Sequence, residues 1–146
     1  MSIIKISVIT ITYNAENVIM RTLDSVLKQT FSNIEHIIID GASKDSTLLA
    51  EREYESRSCS TNNGHEIKII SEPDKGLYDA MNKGIGKATG NYLVFLNAGD
   101  VFPSSSTLET VADMIGDGEE LPGVLFGDTD IVDDNGNFLR HRRLSP

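Results

Sequence analysis

Four short polar clusters hold the residues of this chain best suited to chemistry. They are Thr12-Tyr13-Asn14, Asp40-Gly41-Ala42-Ser43, residues 72–79 (EPDKGLYD) and Asn97-Ala98-Gly99-Asp100. Each follows an apolar, β-branched run, so each is expected at the carboxyl end of a strand. Open α/β sheets bind their ligands in the crevice along that edge. An acid placed there, Asp100 above all, can hold a divalent cation against a pyrophosphate. Four polar clusters on one edge point to a site more strongly than four unrelated loops would.

The remaining candidates read as structure. Asp128-Thr129-Asp130 precedes hairpin strands and lacks a loop followed by a helix, which favours turn chemistry. Asp133-Asp134-Asn135-Gly136-Asn137 has the acids of a calcium loop but neither its distal Glu nor its flanking helices, and reads as a turn. Gly84, Gly86 and Gly90 miss the spacing of a dinucleotide fingerprint and fall in a helical pattern. His36, His65 and His141 have no partners at metal-ligand spacing, so solvent or sheet-edge positions are expected for all three. Cys59, the single cysteine, sits between Ser58 and Ser60 as a bystander; it leaves no internal disulfide and suits a reducing compartment.

The elements that must position the clusters alternate. Residues 6–11 (ISVITI), 36–39, 67–70 and 92–96 are strand runs, the last continuous enough to be buried on both faces. Between them lie helical patterns. The first carries Val18, Ile19, Leu23, Val26 and Leu27, with Asn14 or Asn17 as its cap. The second, over residues 46–57, is mostly polar and is followed by a flexible loop over residues 58–64. The third presents Leu77, Ala80, Met81, Gly84, Ile85 and Ala88 after a Pro-Asp-Lys-Gly turn, and Gly90 suits a left-handed helix end. Beyond Asp100, Ser106 and Glu109 fit a capping box ahead of Leu108, Val111, Ala112 and Ile115. Residues 124–126 read as a strand, and residues 131–132 and 138–139 flank a hairpin signal at Asp134-Asn135-Gly136. Strand–helix alternation implies right-handed crossovers and an α/β, doubly wound, mainly parallel sheet with helices on both faces. Residues 1–146 make one domain.

Composition narrows the partners. A net charge of −9 argues against a nucleic-acid backbone, which wants clustered Lys and Arg. It leaves room for one nucleotide whose charge a metal offsets. No apolar run approaches the ~20 residues of a membrane span, and Met1-Ser2-Ile3-Ile4-Lys5 runs straight into a strand pattern. No leader is expected, and a soluble, cytoplasmic protein is.

Taken together, SVITITYN (residues 7–14), DGASKDST (residues 40–47) and nearly all of residues 71–100 resemble the family 2 glycosyltransferases, enzymes of GT-A fold that use nucleotide-diphosphate sugars. SEPDKGLYDAMNKGI followed by FLNAGD is most similar to members that build bacterial surface polysaccharides. The resemblance spans nearly the whole chain. It implies that Thr12, Tyr13 and Asn14 line the nucleobase and ribose pocket. Asp40 would lie near the uracil or ribose, with Gly41 allowing close approach. Asp74, Gly76, Asn82 and Asn97 would border the nucleotide and sugar. Asp100 matches the last acid of the family's Asp-x-Asp-type motif and would ligate Mg²⁺ or Mn²⁺. Asn97 and Gly99 stand where many members carry acids, so the donor phosphates would complete the metal shell.

The implied function is inverting, metal-assisted sugar transfer from a nucleotide-diphosphate sugar, UDP-sugar favoured, to a saccharide or lipid-linked acceptor. The family places its general base later than Pro146. The base and most of the acceptor site are therefore expected outside this sequence, along with any peripheral membrane association at the inner face. Arg140-His141-Arg142-Arg143 is read as a connection to that later part. One alternative is a non-catalytic nucleotide-binding domain of the same fold. Another, ranked below it, is nucleotidyl transfer, which needs an early Gly-rich phosphate loop with a basic residue; residues 11–16 offer neither.

Overall fold

Four β-branched runs pair side by side in one parallel sheet. The computed structural model describes residues 4–143, so the leaderless reading of Met1-Ser2-Ile3 and the chain end at Pro146 lie outside the described residues. Strands β1 (Ile6–Thr12), β2 (Ile34–Asp40), β3 (Glu66–Ser71) and β4 (Tyr92–Phe95) lie in the order β3-β2-β1-β4, every neighbouring pair parallel. Helices α1 (Ile19–Leu27), α2 (Thr47–Thr61) and α3 (Leu77–Lys87) connect them, and α4 (Thr107–Ile115) follows β4. This is the mixed α/β, mainly parallel architecture expected of a GT-A fold.

Strand alternation sorts the core. Ile9, Ile37 and Ile39 pack with Ala80 of α3 on one face. Ile38 turns to the other face and meets Ile19 and Leu23 of α1 and Tyr54 of α2. Ile6 and Val8 share a third cluster with Val26 of α1 and Leu108, Ala112 and Ile115 of α4. The register then does the work that matters for a site. Thr12 pairs with Asp40, and Asp40 with Ser71, so three strands end in one row. The ladder runs past β4 as well: Ala98 N–H donates to the Ile11 carbonyl at 3.2 Å, bringing the fourth cluster level with the others.

Several expectations change. β4 is an edge strand, and Leu93 is 43% exposed, so the run is not buried on both faces. Residues 124–126 form no strand; Val124 and Phe126 are exposed, with no partner strand among the described residues. Neither Asn14 nor Asn17 caps α1, whose N-terminal flank is Val18 without a side-chain bond. The Ser106–Glu109 capping box does not form either, because the Glu109 carboxylate accepts the Thr30 hydroxyl at 2.6 Å. α2 runs on to Thr61, so residues 58–61, expected in a loop, are helical.

Only Ala80 and Gly84 of α3 are buried, while Leu77 and Ile85 are each 49% exposed. Gly90 is not left-handed; it is required because a Cβ there would sit 2.4 Å from Ser7 Oγ. His36 is not at an edge but fully buried between Thr10 Oγ1 and Tyr54 Oη, each 2.7 Å away, and burial pushes its pKa down to about 3. The hairpin does form, from β5 (Thr129–Val132) and β6 (Phe138–Arg142), with the Asp133 carboxylate gathering the Asn135 and Asn137 N–H groups. Residues 140–142 belong to strand β6.

Candidate donor site

The loops after β1 and β2 are laced together by side chains that a sequence pattern does not reveal. Asn14, at φ 45°, takes the Lys44 N–H on its side-chain oxygen at 2.9 Å, and its own N–H donates to Ser43 Oγ at 2.8 Å. Ala15 N–H donates to Thr47 Oγ1 at 2.8 Å, and Ser46 N–H to the Glu16 carboxylate at 2.9 Å. Asp40, fully buried, closes the third loop onto this pair. Its carboxylate accepts the Ser43 N–H at 2.9 Å, the Ser43 hydroxyl at 2.5 Å and the Ser71 hydroxyl at 2.6 Å.

Gly41 is where three of the clusters touch. A Cβ at this position would lie 2.8 Å from Asp74 Oδ2 and 3.3 Å from Tyr13 Cδ2. Tyr13, 60% exposed, thus offers its ring to solvent beside the Asp74 carboxylate. Asp74 is itself set by a turn in which its Oδ1 accepts the Gly76 N–H at 3.0 Å, with Gly76 at φ 115°. Asn82 lies exposed on α3, past the turn. The nearest atoms a methyl group at residue 41 would meet are side-chain atoms, the far end of Asp74 and the ring edge of Tyr13, rather than backbone. Gly41→Ala is therefore expected to leave stability within ~0.5 kcal/mol, as for ordinary surface changes, while displacing the Tyr13–Asp74 pair. Urea unfolding and nucleotide titration on the same variant separate the two effects: unchanged unfolding with weakened nucleotide binding is the expected pair.

The fourth cluster ends the row. Asp100 N–H donates to the Asn97 carbonyl at 2.9 Å, closing a tight turn with Gly99 at φ 102°. That backbone suits glycine at residue 99, since positive φ is strained for other L residues. The Asp100 carboxyl is pushed above its ordinary range by desolvation, and the Arg21 guanidinium pulls it back. Asn97 Oδ1 is buried with no hydrogen-bond partner among the described residues.

A metal can be tested against these groups. Among the described residues no cluster of three His, Cys, Asp or Glu side chains could hold an ion unaided. One carboxylate and one orphaned amide oxygen in the same turn suit a hard divalent cation that keeps waters and takes phosphate oxygens. The donor set fits Mg²⁺ or Mn²⁺ on those terms. Ser43 and Thr47 stood in the sequence motifs, but not as the hydroxyls that lock the loops; Ser71, which joins Ser43 on Asp40, and Arg21 and Thr22, which hold Gly99, were not singled out.

The sequence model of glycosyl transferase family 2 matches residues 7–144. The chain belongs to that family. Its relatives include a PGL/p-HBAD biosynthesis glycosyltransferase of Mycobacterium tuberculosis, 37% identical over 122 residues, covering 84% of this chain and 45% of the relative. Among solved structures, S. aureus TarS 1-349 in complex with UDP-GlcNAc matches with a TM-score of 0.64 and 28% identity, over 76% of this chain and 31% of that one. The mannosyltransferase PcManGT from Pyrobaculum calidifontis, in complex with GDP-Man and Mn²⁺, matches with a TM-score of 0.65 and 28% identity, over 78% of this chain and 33% of that one. This family 2 chain thus spans less than half the length of these relatives. Among the described residues, no helix is long and apolar enough to cross a membrane.

Proposed function

We propose that this family 2 chain binds the donor of a glycosyltransferase, a nucleoside-diphosphate sugar, along the carboxyl edge of its parallel sheet. The observation that carries the reading is the turn at residues 97–100, where a carboxylate and an unpartnered buried amide oxygen end the same strand row as Tyr13, Gly41 and Asp74. The nucleobase lies against Tyr13 and the Asp40-Gly41 corner, with Thr12 and Asn14 beside it. Asp74, Gly76 and Asn82 border the ribose and sugar. Asp100, with Asn97 beside it, holds Mg²⁺ or Mn²⁺ against the diphosphate. That cation supplies charge neutralisation on the leaving group.

The complexes of the two structural relatives, one with UDP-GlcNAc and one with GDP-Man and Mn²⁺, support a nucleotide-sugar ligand and a divalent ion. UDP is the favoured nucleotide. The reaction is inverting transfer to a saccharide or lipid-linked acceptor in bacterial polysaccharide synthesis, at the cytoplasmic face. The name of the mycobacterial relative supports a biosynthetic role.

Isothermal titration of UDP and GDP, with Mn²⁺ and with chelator, tests the reading. Asp100→Asn is expected to lose on the order of 1–3 kcal/mol of metal-dependent affinity, the scale of one charged interaction. Asn97→Ala should lose less, because it removes a neutral oxygen. Equal affinity in Asp100→Asn and the parent would refute the metal assignment.

A further inference from the structure

The turn that presents Asp100 is gripped from outside its own loop, by two consecutive residues of α1. Thr22 Oγ1, fully buried, accepts the Gly99 N–H at 2.8 Å. Arg21 Nε donates to the Gly99 carbonyl at 2.9 Å. Both backbone polar groups of Gly99 are thereby fixed, and the N–H of the Gly99–Asp100 peptide, that of Asp100, is taken by the Asn97 carbonyl at 2.9 Å. The second arm of Arg21 reaches elsewhere: its Nη1 donates to the Asp134 carbonyl in the β5–β6 turn at 2.9 Å. The rigid planar fork of arginine suits such a bridge between two carbonyls, and the single ammonium of lysine does not.

Resting on the donor-site reading above, we propose that Arg21 is a positioning residue for the metal carboxylate. It orients the Gly99–Asp100 peptide and ties it to the hairpin, so that Asp100 is already aimed before a cation arrives. The argument turns on which of two opposed effects wins. A guanidinium near a divalent cation repels it, and removing the charge would then tighten metal binding. Arg21 is half-exposed, so solvent and salt screen that repulsion. The two backbone bonds stay intact regardless of screening. Groups that orient a metal ligand typically contribute about 10–100-fold to metal affinity. Orientation should therefore dominate.

The test compares the parent with Arg21→Met and Arg21→Lys by calorimetry, using UDP with Mn²⁺ and UDP with chelator. Arg21→Met should weaken the Mn²⁺-dependent component about tenfold, leave metal-free UDP binding within about twofold, and leave the melting temperature close to the parent's. Arg21→Lys keeps a donor for the Gly99 carbonyl and should recover part of the loss. A purely structural role would lower metal-free and metal-dependent binding together, and that outcome overturns the proposal. So does tighter Mn²⁺-dependent binding in Arg21→Met, or binding equal to the parent's. If the parent itself shows no metal-dependent UDP binding, the donor-site reading fails first and takes the proposal with it.

Discussion

Replacing Glu51 by methionine is expected to stabilise this protein, and to do so far more at pH 9 than at pH 5. Glu51 lies on the inner face of α2, fully buried, and neither carboxyl oxygen has a hydrogen-bond partner among the described residues. Burial pushes its pKa from 4.5 up to about 8, the Asp40 charge adds to this, Arg52 opposes it and Asp45 adds again. The unfolded chain releases this proton near 4.5, and the folded chain keeps it until about 8. Folding is therefore unpenalised by this charge below the lower value and progressively penalised as pH rises to the upper one. Roughly 3.5 pH units at about 1.4 kcal/mol each give a penalty on the order of 5 kcal/mol.

Methionine has similar length and no charge, so it should recover most of that at pH 9. At pH 5 it should recover about 1–3 kcal/mol, the cost of an unsatisfied buried polar group. Urea unfolding at both pH values reads the difference. A stability gain that does not grow with pH would show that Glu51 is already solvated or paired when folded.

Glu35 is the opposite case, at the opposite end of the strands, and Glu35→Ala is expected to cost about 3–5 kcal/mol, as for breaking a buried ion pair. Its carboxylate is equally buried but fully engaged. It accepts the Ser7 hydroxyl at 2.5 Å, the Thr89 hydroxyl at 2.9 Å, the Thr89 and Gly90 N–H groups, and the Lys68 ammonium at 2.9 Å. Alanine would remove the acceptor of the Ser7 hydroxyl and of the Thr89 N–H and hydroxyl where α3 turns into β4, while the Gly90 N–H keeps Ser7 Oγ and the Lys68 ammonium keeps Glu66. Burial alone would raise this carboxyl, but Ser7, Thr89 and Lys68 outweigh it and hold it well below the carboxylate range.

A depressed folded pKa makes the contribution fully present above the unfolded value near 4.5 and lost as pH falls below it. The parent's advantage over Glu35→Ala should therefore shrink from pH 7 to pH 3. Nucleotide binding by folded Glu35→Ala should match the parent, because Ser7 and Glu35 pair near the amino ends of β1 and β2 and the site lies at the carboxyl ends. A constant difference across that range would remove Glu35 from the acid response.

The two glutamates show what a sequence can and cannot display. The strand run at residues 36–39 was legible because three consecutive isoleucines, Ile37, Ile38 and Ile39, leave an apolar signature, although the strand itself extends over Ile34–Asp40. The polar clusters after such runs were legible because they interrupt that signature. α2 was legible as a mostly polar helix over residues 46–57, but its last turn and its buried face were not: the inward residues are Thr47, Glu51, Tyr54 and Ser58, three polar groups and one tyrosine, so no apolar stripe marks the face. His36 was misplaced for a related reason, since a histidine in a strand reads as an edge until its two buried partners are seen.

The run at residues 124–126 carries strand propensity, yet pairing needs a neighbour, which the local pattern does not report. In the site, Asp100 and Asn97 stood out by position. The clamp on Gly99 did not, because Arg21 and Thr22 precede it by 78 and 77 residues and look like ordinary helix positions.

The central claim, that a cation and a nucleoside diphosphate meet at the carboxyl edge of the sheet, is tested most directly by paramagnetic broadening. Mn²⁺ added in trace amounts to the isotope-labelled chain saturated with UDP should broaden amide resonances according to distance. The account predicts selective loss of Gly99 and Asp100 first, then of Gly41 and the residues around Thr12. Ser7, Glu35 and Gly90 at the other end should keep their signals, and Asp100→Asn should abolish the pattern. Broadening centred elsewhere, such as on Asp128 and Asp130, or persisting unchanged in Asp100→Asn, would contradict it.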